Sequence, residues 1–167
     1  MTSLKLFLLL DACWVNYQYD LLNQYNQLMN NYWIETKSKQ LSMPLAEIND
    51  IYQNYVIVHN DPSDDWIPIA FTCHDYLYKT NGSSNIKGIA WGQIGIHWNV
   101  GAAITKYDEI EPLKNFHTFS HELGHLHHLG HSTAPCDNFM TSCNIISNYN
   151  YTEDHWNTID WVWLTYI

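Results

Sequence analysis

The residues best equipped for chemistry lie in one stretch, His121-Glu122-Leu123-Gly124-His125-Leu126-His127-His128-Leu129-Gly130-His131. On an α-helix, positions four apart differ by only about 40° in azimuth, so His121 and His125 project from one face. Two imidazoles so placed can share one metal ion at the ~2.0–2.1 Å of a zinc–nitrogen bond. Glu122 is rotated by about 100° from His121, beside such an ion rather than on it. From there a carboxylate can take a proton from an attacking water and later hand it to a leaving amine. The chemistry this pattern fits is metal-assisted hydrolysis of a peptide bond.

A catalytic zinc takes three protein ligands and keeps one position open. His131 is the leading third ligand, and it carries a structural demand. On a continuous helix it would sit about 9 Å along the axis beyond His125, too far to share the ion. The chain must therefore leave the helix between Leu126 and Gly130, and Leu129-Gly130 offers a glycine that enters left-handed conformations without steric cost. His128 has a helical phase close to that of His121 and is the reserve ligand if the chain does not turn. Glu153 is a further alternative, although an acid in a helix's first turn needs no metal to explain it. His127 points away from His125, and His59, His74, His97, His117 and His155 receive no role.

The stretch resembles the extended zinc signature of the metzincin metallopeptidases, H-E-x-x-H-x-x-G-x-x-H, in wording close to its matrix-metalloproteinase version. His121 to His125 and Leu129-Gly130-His131 match, while His128 stands where the family has a glycine. Histidine is among the non-glycine residues enriched at positive φ, so a turn there is compatible with it. Met140, in Asp137-Asn138-Phe139-Met140-Thr141-Ser142, falls at the spacing of the methionine that the family places on a tight turn beneath the zinc (the Met-turn). Thr152-Glu153-Asp154-His155 reads as an N-cap with acids in the first turn, opening an apolar-periodic segment with Trp156, Ile159, Trp163 and Leu164. It is similar to the helix that closes the metzincin domain.

This resemblance implies an α+β fold and a single catalytic domain over 1–167, with an upper part to about residue 130 and a lower part over about 131–167. It implies a twisted, mostly parallel sheet with an antiparallel edge strand, a backing helix, an active-site helix, the Met-turn and a C-terminal helix. A Zn2+ ion would be held by His121, His125 and His131, above Met140, with Glu122 as general base. Tyr149 or Tyr151 would support the oxyanion, as tyrosines after the Met-turn do in some relatives. The implied activity is that of a zinc endopeptidase acting on a protein or peptide bound in an extended conformation along a sheet edge. Two other classes use the same residues: an inactive, zinc-stabilised binding protein, and a zinc amidase with a non-protein substrate.

The remaining chain bounds these readings. A length of 167 residues suits one domain with a substantial core. Hydrophobic content of 46%, with 15% aromatic residues, belongs to a globular chain rather than a disordered one. Lys+Arg 7 against Asp+Glu 17 gives a net charge of −10, which repels phosphate backbones and anionic lipid. Nucleic-acid and membrane partners are therefore disfavoured, and a monomer is expected. The apolar run Leu4–Leu10 is too short to span a bilayer. It reads as the start of a short signal peptide or, because Asp11 ends it with no small-residue cleavage site, as a buried first strand. Of the three pairings open to Cys13, Cys73, Cys136 and Cys143, the preferred one joins Cys136 to Cys143 around Met140 and Cys13 to Cys73. Disulfides would place the protein in an oxidising compartment, secreted or extracytoplasmic. Asn81-Gly82-Ser83 and Asn150-Tyr151-Thr152 are sequons of the kind an Asn-rich chain carries by chance.

Periodicity orders the elements that must position the motif. Tyr19 to Trp33 has helical spacing. Tyr52 to His59 reads as a strand ending at an Asn60-Asp61-Pro62 turn, and Ile67 to Tyr78 as another strand. Gly88 to Trp98 is rich in β-formers and glycine, and is the segment that could supply the substrate-binding edge. Pro112 precedes a helix running from about Leu113 through the zinc motif.

Overall fold

Alternation along β1 (Leu4–Leu10) places Leu4, Leu6, Leu8 and Leu10 on one face, all buried. The computed structural model describes residues 2–42, 44–59, 65–79, 85–105, 112–133 and 135–167. The Asn81-Gly82-Ser83 sequon and the Asn60-Asp61-Pro62 turn lie outside these, as does the side chain of His59. β1 sits within a five-stranded sheet of order β2-β1-β3-β7-β6. Its partners are β2 (Ile34–Gln40) and β3 (Trp66–Thr72), both parallel to it, and β7 (Gly101–Thr105) is parallel to β3. β6 (Gly88–Trp91) runs antiparallel to β7 and forms one edge. A separate ribbon pairs β4 (Leu77–Tyr78) with β5 (Asn85–Ile86). The expected mixed fold, mostly parallel with an antiparallel edge strand, is present.

Two helices back one face. α1 (Trp14–Leu28) buries Trp14, Leu21 and Tyr25, and α4 (Pro112–Leu126) buries Phe116, Phe119, Leu123 and Leu126. They share one core with the β1 leucines and with Ile69, Phe71, Ala102 and Ile104. Aromatic contacts knit the layers: Trp14 meets Phe71 edge-on, and Phe119 stacks on Phe71 and meets Tyr25 edge-on. The opposite face carries a smaller core, in which Ala70 and Ala103 pack with Leu45, Ile48, Ile51 and Leu77. The C-terminal helix α5 (Glu153–Tyr166) is capped by Thr152, whose hydroxyl accepts from the His155 N–H while the His155 ring accepts from the Thr152 N–H.

Several sequence expectations are corrected. Tyr52–His59 is helical: α2 (Ile48–Ile51) runs on through a π-helical turn (Tyr52–Val56) into α3 (Ile57–His59). Its buried positions Ile48, Ile51 and Val56 follow a helical spacing that a short β-branched run masks. The strand read over Ile67–Tyr78 breaks after Thr72 and resumes only as β4. β6 stops at Trp91, because Gly92 and Gly95 take positive φ in the turns that follow. α1 begins at Trp14 and ends at Leu28, so Trp33 lies beyond it.

Both expected disulfides are formed. Cys13–Cys73 joins the region after β1 to the end of β3, across 60 residues of chain. Closing a loop of that size typically stabilises by about 2–4 kcal/mol. Replacing Cys13 and Cys73 by serine should lower the melting temperature by about 5–15 °C in a scanning calorimeter; an unchanged transition would show that the sheet holds this corner unaided.

Candidate active site

α4 carries His121 and His125 on the face turned toward the lower part of the chain. The helix ends just after His125, at Leu126, in a Schellman arrangement: Leu129 N–H reaches the Gly124 carbonyl at 3.0 Å and His128 N–H the His125 carbonyl at 3.1 Å. The left-handed residue such an ending needs is His128, at φ 69°. Its Nε2–H donates to the Ile94 carbonyl at 2.7 Å, and its ring lies against Trp161 and Tyr166. His128 therefore occupies the glycine position of the motif and is not among the converging histidines. The turn comes at His128, one residue earlier than Leu129-Gly130.

Past this turn His131 comes back to the helix. The three Nε2 atoms of His121, His125 and His131 form a near-equilateral triangle, with sides of 3.1 Å (His121–His125), 3.0 Å (His125–His131) and 3.1 Å (His121–His131). Their other nitrogens reveal the tautomers. His121 Nδ1–H donates to the Phe139 carbonyl and His125 Nδ1–H to the Leu129 carbonyl, each at 2.8 Å. Both Nε2 atoms then present lone pairs to each other, a repulsive arrangement that a cation between them turns into an attractive one. A point ~2.0–2.1 Å from all three nitrogens exists for a triangle of this size, as a zinc–imidazole site requires. His121, His125 and His131 thus form a group that could hold a zinc ion. Burial lowers the pKa of His121 to about 4 and lowers that of His125 as well, which keeps both rings neutral and able to ligate.

Glu122 is buried beside this group, and desolvation pushes its carboxyl up to about 8. A dication next to it favours the carboxylate and draws that value down. The carboxyl lies against β6: a Cβ on Gly88 would fall 2.7 Å from Glu122 Oε1 and 2.9 Å from its Cγ. Gly88 is therefore a residue whose missing side chain makes room for the Glu122 carboxyl, a role invisible in a lone strand glycine. The triad, Glu122 and β6 line one cleft of about 800 Å³.

The floor is built by the loop around Met140. Asn138 Oδ1 accepts from the Met140 N–H at 2.9 Å and from the Ser132 hydroxyl at 3.2 Å, folding the loop back on the chain leaving His131. Met140 is fully buried, and its Sδ lies only 2.3 Å from where a Cβ on Gly124 would stand. His117, one turn before His121, donates from Nε2 to the Phe139 and Thr141 carbonyls, both at 3.2 Å, and lines the cleft. Sequence reading gave it no role, although His117, His121 and His125 share one helical spacing. Burial lowers the His117 pKa, and the nearby Lys87 ammonium lowers it further.

The remaining expected residues lie elsewhere. Tyr151 is buried with its hydroxyl donating to the Ser120 carbonyl at 2.6 Å, and Tyr149 packs on Phe139; neither lines the cleft. The Tyr151 hydroxyl is thus engaged in the core, and the half-buried Tyr149 ring packs against it. Glu153 is exposed in the first turn of α5, apart from the triad. His127 is buried, with Nδ1–H donating to the Leu123 carbonyl at 2.8 Å and Nε2 accepting from Trp163 at 3.1 Å.

The Gly124–Met140 contact makes a testable demand. Gly124→Ala should displace the Met140 side chain and cost about 1–3 kcal/mol, read as a lowered urea midpoint. An unaltered midpoint would mean that the loop yields freely.

No protein-family model matches this chain, and no curated protein matches it. Among solved structures it is similar to a zinc-dependent peptidase from Methanocorpusculum labreanum, with a TM-score of 0.67 and 12% identity over 92% of this chain and 99% of that one. It is also similar to archaemetzincin from Methanopyrus kandleri, with a TM-score of 0.69 and 14% identity over 97% of this chain and 96% of that one. At these identities the likeness is one of fold, and that fold agrees with the metzincin resemblance of the histidine motif.

Proposed function

We propose that this chain is a zinc-dependent endopeptidase. The observation that carries the reading is the convergence of three imidazole nitrogens within 3.0–3.1 Å, with buried Glu122 beside them in a cleft bordered by edge strand β6. His121, His125 and His131 would hold the ion, and Met140 would be the methionine of a Met-turn beneath it. When bound, zinc supplies Lewis-acid polarisation of the scissile carbonyl and brings the pKa of water to about 7.

The chain's own residues supply the rest. Outward-facing N–H and C=O groups of β6 can pair with a substrate in extended conformation, so main-chain bonds provide affinity with little demand on sequence. Glu122, held against Gly88, stands where that strand would lie. It takes the proton of the attacking water and delivers it to the departing amine nitrogen. Burial raises the basicity of the carboxyl and an adjacent dication would lower it, so the two effects oppose at the group that makes this transfer. The two disulfides support action in an oxidising compartment outside the cytoplasm.

Two measurements test the assignment. Zinc-loaded wild type should cleave an unstructured protein and lose that activity to a chelator. Glu122→Gln should retain one zinc per chain by elemental analysis while its kcat falls by about 10²–10⁴-fold. Equal rates for the two enzymes would refute the role of Glu122. Gly88→Ala should push the Glu122 side chain from its place, lowering kcat by about 10–100-fold at unchanged zinc content; a kcat equal to wild type would show that the close approach is incidental.

A further inference from the structure

One carbonyl oxygen receives two histidines of α4. Phe139 O accepts from His121 Nδ1–H at 2.8 Å and from His117 Nε2–H at 3.2 Å. The two rings stand one helical turn apart and nearly perpendicular, with 6.1 Å between their centroids. A carbonyl oxygen has two lone pairs, so each ring can occupy one. His117 divides its N–H, donating also to the Thr141 carbonyl at 3.2 Å. Both of these partners are acceptors only, so the proton must sit on Nε2 and the tautomer is fixed. The carbonyls that His117 grips flank Met140. The Met140 carbonyl itself goes to a different partner, the Ser132 N–H at 2.9 Å, on the residue that follows His131. The Phe139–Met140 peptide is also pinned at its other end, where the Met140 N–H donates to Asn138 Oδ1 at 2.9 Å.

We propose that His117 is a positioning residue of the metal site: its divided hydrogen bond fixes the Phe139 and Thr141 carbonyls, and through Phe139 the angle at which His121 offers Nε2 to the ion. The inference rests on the metal-site part of the endopeptidase reading and is independent of which bond is cleaved. Residues 139–141 touch both segments that bring the triad together, α4 through His117 and His121 and the chain after His131 through Ser132. His117, Phe139, Met140 and Thr141 are all buried. A carbonyl deprived of its donor there cannot turn to water, so it stays unsatisfied or the loop shifts. Either result changes what His121 leans on. Removing a partner that orients a metal-binding histidine typically costs about 10–100-fold in metal affinity. His117 acts one bond further out, through the carbonyl it shares, which places it at the lower end of that range.

The test measures the affinity of the full chain for Zn2+ by competition with a chromophoric chelator. His117→Phe keeps the ring volume without a donor, and His117→Gln keeps an amide N–H with nearly the reach of Nε2. The protein with Cys13 and Cys73 replaced by serine is the control for stability lost away from the site. Zinc affinity should fall about 10-fold in His117→Phe and stay within about threefold of wild type in His117→Gln and in the control. The visible spectrum of the cobalt-loaded protein, which reports ligand geometry, should change in His117→Phe and match wild type in His117→Gln. If His117→Phe does not fold, His117→Asn, whose amide is too short to reach the loop, must show the same loss. Unchanged zinc affinity in the donor-free or shortened variant overturns the inference and leaves the metal site standing. A His117→Gln protein as weak as His117→Phe overturns it as well, since the hydrogen bond would then not be what matters. A wild type that binds neither zinc nor cobalt overturns the metal-site reading on which the inference rests. The expected order of affinities in a protein that cleaves no peptide would keep the positioning role and sink the endopeptidase reading instead.

Discussion

Everything at the centre depends on where α4 stops. Two ligands on one helical face are easy to encode; the third requires the chain to leave the helix within one turn and come back. The Schellman bonds at Gly124 and His125 do this, with His128 in the left-handed region. A non-glycine residue there costs about 1–2 kcal/mol. The His128 ring offsets part of that cost through its bond to the Ile94 carbonyl and its contacts with Trp161 and Tyr166. Glycine would satisfy the turn and provide none of these contacts. The Ile94 N–H in turn donates to the Leu126 carbonyl at 2.9 Å. The loop after β6 is thus clamped to the helix end by two hydrogen bonds, which fixes the end of the edge strand relative to the helix that carries His121 and His125.

The orientation of two of the three rings is set by backbone carbonyls. His121 leans on Phe139 and His125 on Leu129, so each ring is fixed by a segment that lies after the helix. Bonds of this kind choose the tautomer and aim the second nitrogen. They also make the irregular lower part a functional component. With little regular structure between His131 and α5, its backbone groups find partners one at a time: Ser132 N–H on Met140, Phe139 N–H on Asn150, Ser147 N–H on Cys136. Cys136–Cys143 closes the loop carrying Phe139, Met140 and Thr141.

The three converging histidines, the glutamate buried beside them and the position of the buried methionine were legible in the sequence because they depend on short, rigid spacings within a helix or on fixed order along the chain. The β1 strand, α1, α4 and α5 were legible for the same reason, since each buries a periodic apolar face. β2 was not: Ile34–Gln40 is exposed along nearly its whole length and is held by its parallel pairing to β1, a long-range contact with no local pattern. β7 escaped for the opposite reason, being short, alanine-containing and buried at every position. Where the rings of Tyr149 and Tyr151 point could not be read, because the direction of a side chain in an irregular loop follows from tertiary packing. Gly88 and Gly124 were silent because a glycine that makes room for a neighbour looks like any other until the neighbour is known.

The triad has one asymmetric member, and this shapes how the site holds together. His121 and His125 belong to a helix packed into the main core, whereas His131 is exposed and follows the helix end. With no cation, three nitrogens at 3.0–3.1 Å gain little from proximity, and His131 has the least packing to keep it there. A bound ion would therefore do structural work mainly at His131, tying the start of the lower part to α4. Binding that favours the closed arrangement stabilises it by mass action, in proportion to how much more tightly it holds the closed form. The Ser132–Met140 and Ser132–Asn138 bonds immediately follow His131, so anchoring this histidine also anchors the loop whose Phe139 carbonyl orients His121. Histidine placement and loop closure form a circuit, and the exposed histidine is the link through which a bound ion would complete it.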